Sequence, residues 1–515
     1  MKKTIAIAVV STLCVLLIAA GTMEEQRLRN LVGLSAFMRS RTIGTFEYKT
    51  FVEGAIDGML KTLDPHSTFM NEESYQRMQE DQEGRFFGIG MIISKRNGKI
   101  TVVSPMANTP AARHGLRSGD VIYEIDGEST EDFSTNDAVD RLRGERGTKV
   151  EIAIKRPGVK DLIRFTIERA EIPERSVEYA FMADRKTGYI LLKNFGERTA
   201  EDMDEALKTL TDSGMKQLVL DLRNNPGGLL NAAVYVSDLF LSKGDPIVSI
   251  RGRTERDRQN FEDEIETPYE NLPLIVLINR GSASGSEIVA GAVQDNDRGL
   301  VVGNTSWGKG LVQSVFMVDR REALALTTAK YYTSSGRCIQ RDYSRSFADY
   351  YNPRSQEKRS SAETPTEIFR TRTGREVKGG GGIVPDIDVE MGTLDDFLVD
   401  LRYRSSAFFR FAVAYAATHE DIPADFRTGA DTLGEFRNFL ENEEIPFTEQ
   451  QLQDNIAYIR TTLEQEILSN RFGLQAGAKR FLELDEQYQR AVKAFPDAIA
   501  LQKKARNAEK LVSMH

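Results

Sequence analysis

The 515-residue chain predicts a multidomain α/β protein with helical N- and C-terminal regions. Three observations predict it. From Thr187 to about Val389, strand-like apolar runs alternate with helical stretches, as in a layered sheet with helices packed on it. From Arg85 to Glu168 the texture is one of short strands punctuated by glycine. Before and after these stretches, apolar residues recur at helical spacing. A chain of this length should hold several domains.

The N-terminus carries an address. Met1-Lys2-Lys3, the apolar run Ile5 to Ala20 and the small residues Ala19-Ala20-Gly21 form the three regions of a secretory signal peptide over residues 1–21. The apolar run is just short of a bilayer span, so an uncleaved anchor, with inner-membrane association, is the rival. Cys14 lies inside this run and Cys338 is the other cysteine, so a cleaved chain forms no internal disulfide. Residues 22–82 repeat Leu28, Leu31, Leu34, then Phe51, Ile56, Met59, Leu60 and Leu63, ending at Asp64-Pro65-His66-Ser67. That is the pattern of helices closed by a turn, an interaction or dimerisation arm. The net charge of −9 is spread over mixed-sign segments and argues against a nucleic-acid partner. The four histidines, at 66, 114, 419 and 515, are scattered, so no metal site and no cofactor are expected.

The glycine-punctuated stretch contains Phe86-Phe87-Gly88-Ile89-Gly90-Met91, then Ala111-Ala112-Arg113-His114-Gly115-Leu116-Arg117-Ser118-Gly119-Asp120, then Leu142-Arg143-Gly144. In this order the motifs resemble a PDZ domain of the bacterial protease type, covering residues 83–170. The resemblance implies strand addition: an extended peptide pairs with the strand beginning at Ile89, and backbone N–H groups near Gly88 and Gly90 hold its terminal carboxylate. Val139 and Leu142 would form the far wall and take the last apolar side chain.

Two stretches carry the chemistry. Gly281-Ser282-Ala283-Ser284-Gly285-Ser286-Glu287 lies between a strand-like run and a helical one, a turn that exposes a hydroxyl and aims N–H groups at what it attacks. Ser306-Trp307-Gly308-Lys309-Gly310 follows another strand-like run and sets one lysine between two glycines. Together they suggest a serine nucleophile with a lysine base. Such a lysine must be held neutral near pH 7, against an ordinary pKa of about 10.4. Gly303 to Lys309 also matches the Gly-x-x-x-x-Gly-Lys of a phosphate loop. The Ser or Thr required next is Gly310 here, which removes the magnesium ligand of an NTPase. Trp307 is read as a packing residue before a pocket wall.

With Asp221-Leu222-Arg223-Asn224-Asn225-Pro226-Gly227-Gly228 ending a further strand, and the PDZ-like stretch ahead, the set resembles the carboxyl-terminal processing, or tail-specific, proteases over residues 25–390. The resemblance implies a crotonase-like peptidase core at 171–393 with a surface insertion at 341–378. It implies Ser284 as nucleophile, Lys309 as base and Gln313 as the residue orienting the lysine. Gly285 would supply one oxyanion donor and the Gly227-Gly228 turn the other. Gly285 stands where the family commonly has alanine.

The implied protein is a periplasmic or envelope serine endopeptidase that takes proteins with accessible C-termini. A homodimer and an adaptor or activator protein are further partners of that reading. The alternative is a PDZ adaptor without activity, against which the joint presence of Ser284, Lys309 and Gln313 weighs. Residues 394–515 alternate in charge along helical patterns, as in a solvated cap or dimer arm.

Overall fold

The computed structural model describes residues 30–512 apart from 31–32, 35–36, 44–46, 345–349 and 352–366. The segment read as an export signal and much of the insertion expected at 341–378 lie outside the described residues. Among the described residues no helix is long and apolar enough to cross a membrane.

The chain divides between Phe69 and Met70 into two units. In the first, α1 (Tyr48–Leu60) buries only Leu60. The predicted turn is there: Asp64 Oδ1 accepts the N–H groups of His66 and Ser67, both at 2.8 Å.

The second unit holds everything else. Its first sheet has β1 (Met91–Arg96) at one edge, followed by the antiparallel strands Lys99–Pro105, Val121–Ile125, Lys149–Lys155 and Ile163–Glu168. A capping box between Ser134 and Asp137 starts α2 (Thr135–Leu142). Ala138 and Leu142 of α2 pack with Ile89, Ile100, Ile122 and Ile154 in the core of this domain.

The central sheet follows from period-2 patterning. Its strands are β2 (Val177–Met182), β3 (Thr187–Leu192), β4 (Gln217–Asp221), β5 (Leu274–Ile278), β6 (Leu300–Gly303) and the short Ile387–Asp388, in that spatial order. All neighbours after the first pair are parallel. Leu218, Leu220, Leu274, Val276, Ile278 and Val301 face one side, where α3 (Leu230–Asp238) and α4 (Gly285–Asp295) bury Ala233, Val236, Ile288, Val289 and Val293. Val219, Ile275, Leu277, Leu300 and Val302 face the other. A sheet buried on both faces reads as continuous apolar runs at its centre, and β5 and β6 do.

What covers the second face corrects the expectation for the C-terminal region. Tyr488 and Ala491 of α5 (Glu486–Lys493), with Phe495 and Ala498 of α6 (Phe495–Val512), pack on it. The alternating charges lie on the outer sides of these helices, and their alanines let the helices approach the sheet closely. A second, antiparallel sheet contains β7 (Leu311–Met317) and β8 (Ala323–Thr333), with a register shift between Val312 and Gln313. β2 and β7 form no continuous apolar run, since polar residues interrupt their apolar ones.

Three consecutive parallel strands end on the motif stretches. β4 runs into Leu222–Gly228, β5 into Asn279–Ser284 and β6 into Asn304–Lys309. The carboxyl ends of parallel strands are where an open sheet leaves its loops free to build a site.

Candidate active site

The turn after β5 separates its three serines. Ser282 Oγ accepts from Asn279 N–H at 2.9 Å and donates to Leu222 O at 2.8 Å, and Ser286 Oγ donates to Asn225 O at 2.9 Å. Both residues are fully buried. Ser284 alone stays partly exposed. It caps α4 with φ +52° and ψ −111°, a region a non-glycine residue occupies only under constraint from its surroundings.

The constraint is Glu287, which the sequence reading overlooked. Its carboxylate is fully buried in α4, a helix whose every residue is buried. Oε2 accepts from Ser284 N–H at 2.8 Å and from Lys309 N–H at 2.9 Å. Oε1 accepts from Gly308 N–H at 2.6 Å and Ser306 Oγ–H at 2.5 Å. Burial raises the carboxyl pKa above its ordinary value, and the four donors oppose that rise. One oxygen atom therefore gathers two residues 25 positions apart. Trp307 N–H adds a direct stitch to Ser282 O at 2.8 Å. On another side the buried Tyr331 hydroxyl lies 3.2 Å from Ser284 O and also contacts Lys309 O. A glutamate three residues past a helix-capping serine and directly before the apolar run Ile288–Val293 was the available signal.

The third loop closes against the serine. A methyl group on Gly227 would stand 2.7 Å from Ser284 Cβ and 2.8 Å from Gly285 N. Gly227 N–H is spent on Asn225 Oδ1 at 2.8 Å, and Asn225 Nδ2 donates to Leu192 O at 2.8 Å. This takes Gly227 out of the donor pair expected from the sequence. The N–H groups of Gly228 and Gly285 have no acceptor among the described residues. Gly228 has φ +149° and no room for a side chain, since a methyl there would lie 2.1 Å from Phe195 O.

The register shift at Val312/Gln313 sets Gln313 opposite Thr327, and its amide N–H donates to Thr327 Oγ1 at 3.2 Å. Trp307 is packed: the Arg341 guanidinium lies 4.1 Å over its ring, and Tyr350 and Tyr351 stand 6.3 and 6.2 Å away.

In the N-terminal sheet domain, strand β1 starts at Met91, leaving Ile89 and Gly90 as a loop before it. Ile89 O accepts Ala111 N–H at 2.8 Å, and Gly90 O accepts Met106 N–H at 3.0 Å and Thr109 Oγ–H at 2.7 Å. The carbonyls thus turn into the domain, while the N–H groups of Ile89 and Gly90 have no acceptor among the described residues. Gly88 ends the strand before this loop. Leu142 is buried in the core with Ile89, and Val139 is half-buried on α2.

Comparison with known proteins matches two stretches of the chain. Residues 186–344 match peptidase family S41 and residues 101–156 match the PDZ domain. The carboxy-terminal-processing protease of Bartonella bacilliformis is 43% identical over 308 residues, 59% of this chain and 70% of that protein. The carboxy-terminal processing protease CtpB of Bacillus subtilis is 38% identical over 296 residues, 56% of this chain and 61% of that protein. Among solved structures, a photosystem II D1 C-terminal processing protease is 25% identical, covering 72% of this chain and 89% of its own, with a TM-score of 0.37. The chain belongs to the carboxy-terminal processing proteases, serine peptidases of family S41 with a PDZ domain.

Proposed function

We propose that the chain is an exported endopeptidase that captures the C-terminal tail of a protein in its PDZ groove and hydrolyses a peptide bond through a Ser284–Lys309 dyad. The core is read as crotonase-like. Lys309 Nζ takes the Ser284 Oγ proton as Oγ attacks the scissile carbonyl. The tetrahedral oxyanion rests on the N–H groups of Gly285 and Gly228. Collapse expels the amine, which leaves with the proton from Lys309, and water then attacks the acyl-enzyme by the same route. The observation that carries this reading is the Glu287 oxygen shared by the Ser284 and Lys309 amides.

An extended tail would add to the open edge of β1, its carboxylate on Ile89 and Gly90 and its last side chain against Val139 and Leu142. Envelope location rests on the sequence of residues 1–21. The test is cleavage of an unfolded reporter with an apolar C-terminus. Ser284→Ala and Lys309→Ala should each lose about a thousandfold or more in kcat with thermal melting unchanged. Either variant cleaving at the wild-type rate would overturn the dyad.

A further inference from the structure

The C-terminal helical region reaches the two loops from behind. Arg223 lies between β4 and the Gly227-Gly228 turn, and its guanidinium is a fork with two carboxylates. Nε meets both Asp221 oxygens at 3.0 Å, and Nη2 meets Oδ2 at 2.5 Å. Asp485, which caps α5, accepts from Nη1 at 3.0 Å and from Nη2 at 2.6 Å. Gln487 Oε1 also accepts from Nη1, at 3.1 Å, and Gln487 Nε2 donates to Asn304 Oδ1 and Val389 O, both at 2.9 Å. Asn304 opens the loop that ends in Lys309, and its N–H donates to Ile278 O at the end of β5, at 3.1 Å.

Asp221, Asp485 and Gln487 are all buried. Burial alone would lower the Arg223 pKa, and Asp221 with Asp485 outweighs it. A planar guanidinium held bidentately at both ends has one orientation, so this contact transmits position as well as charge. Two residues, Asp485 and Gln487, thus grip the ends of both strands that lead to the oxyanion turn and to the lysine.

We infer that Asp485 and Gln487 are positioning residues for peptide hydrolysis, through which the C-terminal helices set the register of the Gly228 turn against the Lys309 loop. The inference rests on the Ser284–Lys309 reading. Asp485→Asn keeps the volume and removes the charged half of the fork. Gln487→Glu keeps an acceptor for Arg223 and removes the donor to Asn304, so it tests the second arm should the first variant fold poorly.

With the apolar-tailed reporter, each should lower kcat per folded molecule by about 10- to 100-fold with KM unchanged. Labelling of Ser284 by a fluorophosphonate should slow in parallel. A purely structural role would lower the melting temperature and leave both per-molecule rates at wild type. Wild-type rates in both variants beside an inert Ser284→Ala would overturn this inference alone. A Ser284→Ala variant that still cleaves would overturn the dyad reading and this inference with it.

Discussion

The PDZ loop and the peptidase centre present the same device in different settings. Each offers two backbone N–H groups without an acceptor among the described residues: Ile89 and Gly90 in one, Gly228 and Gly285 in the other. Behind the PDZ pair stand hydrogen bonds to backbone carbonyls and the Thr109 hydroxyl. Behind the peptidase pair stand a fully buried carboxylate with four donors and a buried tyrosine contacting the carbonyls of Ser284 and Lys309. A carboxylate arriving at the end of a tail needs only affinity, which tolerates small displacements. A developing oxyanion needs its donors, its nucleophile and its base in one arrangement. The difference teaches where a buried charge is worth its desolvation.

The sharpest way to break the comparison is Glu287→Gln. An amide places an NH2 against two of the four donors, leaving buried groups unsatisfied at about 1–3 kcal/mol each. We expect a loss of about 100-fold or more in kcat, with KM for the tailed reporter within twofold or so of wild type. A wild-type kcat in a folded variant would show that the shared oxygen is incidental.

The matching change on the PDZ side is Gly90→Ala. Its φ of +78° disfavours a side chain, and the methyl would lie 2.4 Å from Thr109 Cβ. Strain of about 1–3 kcal/mol should weaken tail-peptide affinity by about tenfold, measured by calorimetry. Hydrolysis of a tail-less unfolded peptide should be unaffected. If that hydrolysis falls as well, the two sites are not independent in the way the comparison holds.

Smaller again is Gln313→Ala. Its amide N–H is engaged by Thr327 Oγ1, and the loss in kcat should stay below about tenfold, the worth of one neutral hydrogen bond. A loss equal to that of Lys309→Ala would make Gln313 part of the lysine's own machinery.

What the sequence made legible was local. Ser284, Lys309 and the Gly227-Gly228 turn sit in short motifs at strand ends, where residue type and neighbours suffice. Glu287 escaped because its work is to join two loops, and a capping glutamate looks ordinary in one of them. Which neighbour Gln313 faces depends on a single register shift in β7, which no local pattern announces. The Arg223–Asp485 contact joins residues 262 apart, which no local pattern carries. The last two helices looked solvated since their charges were visible and the sheet they cover was not.

Another buried carboxylate, at the C-terminal end of α3, gives the smallest and most easily read test. Asp238 is less deeply buried than Glu287, but its Oδ1 has no partner among the described residues, and neither does Oδ2 of the buried Asp263. Burial, then the charge of Asp263, pushes Asp238 up to about 7 from 3.8, and burial chiefly pushes Asp263 up to about 6. The folded chain therefore keeps a proton that the unfolded chain has lost between these values. Stability falls as pH rises from 3.8 through about 7 and levels off above it. Asp238→Asn removes the ionisation and also a negative charge from a helix C-terminus. Its melting temperature should exceed wild type by a few degrees above pH 7, with the gap closing as pH falls toward 3.8. A gap of constant size across that range would mean that packing, and not the proton, separates the two proteins, and that Asp238, with the Glu264 N–H where Glu287 has four donors, is not its sparsely donated counterpart.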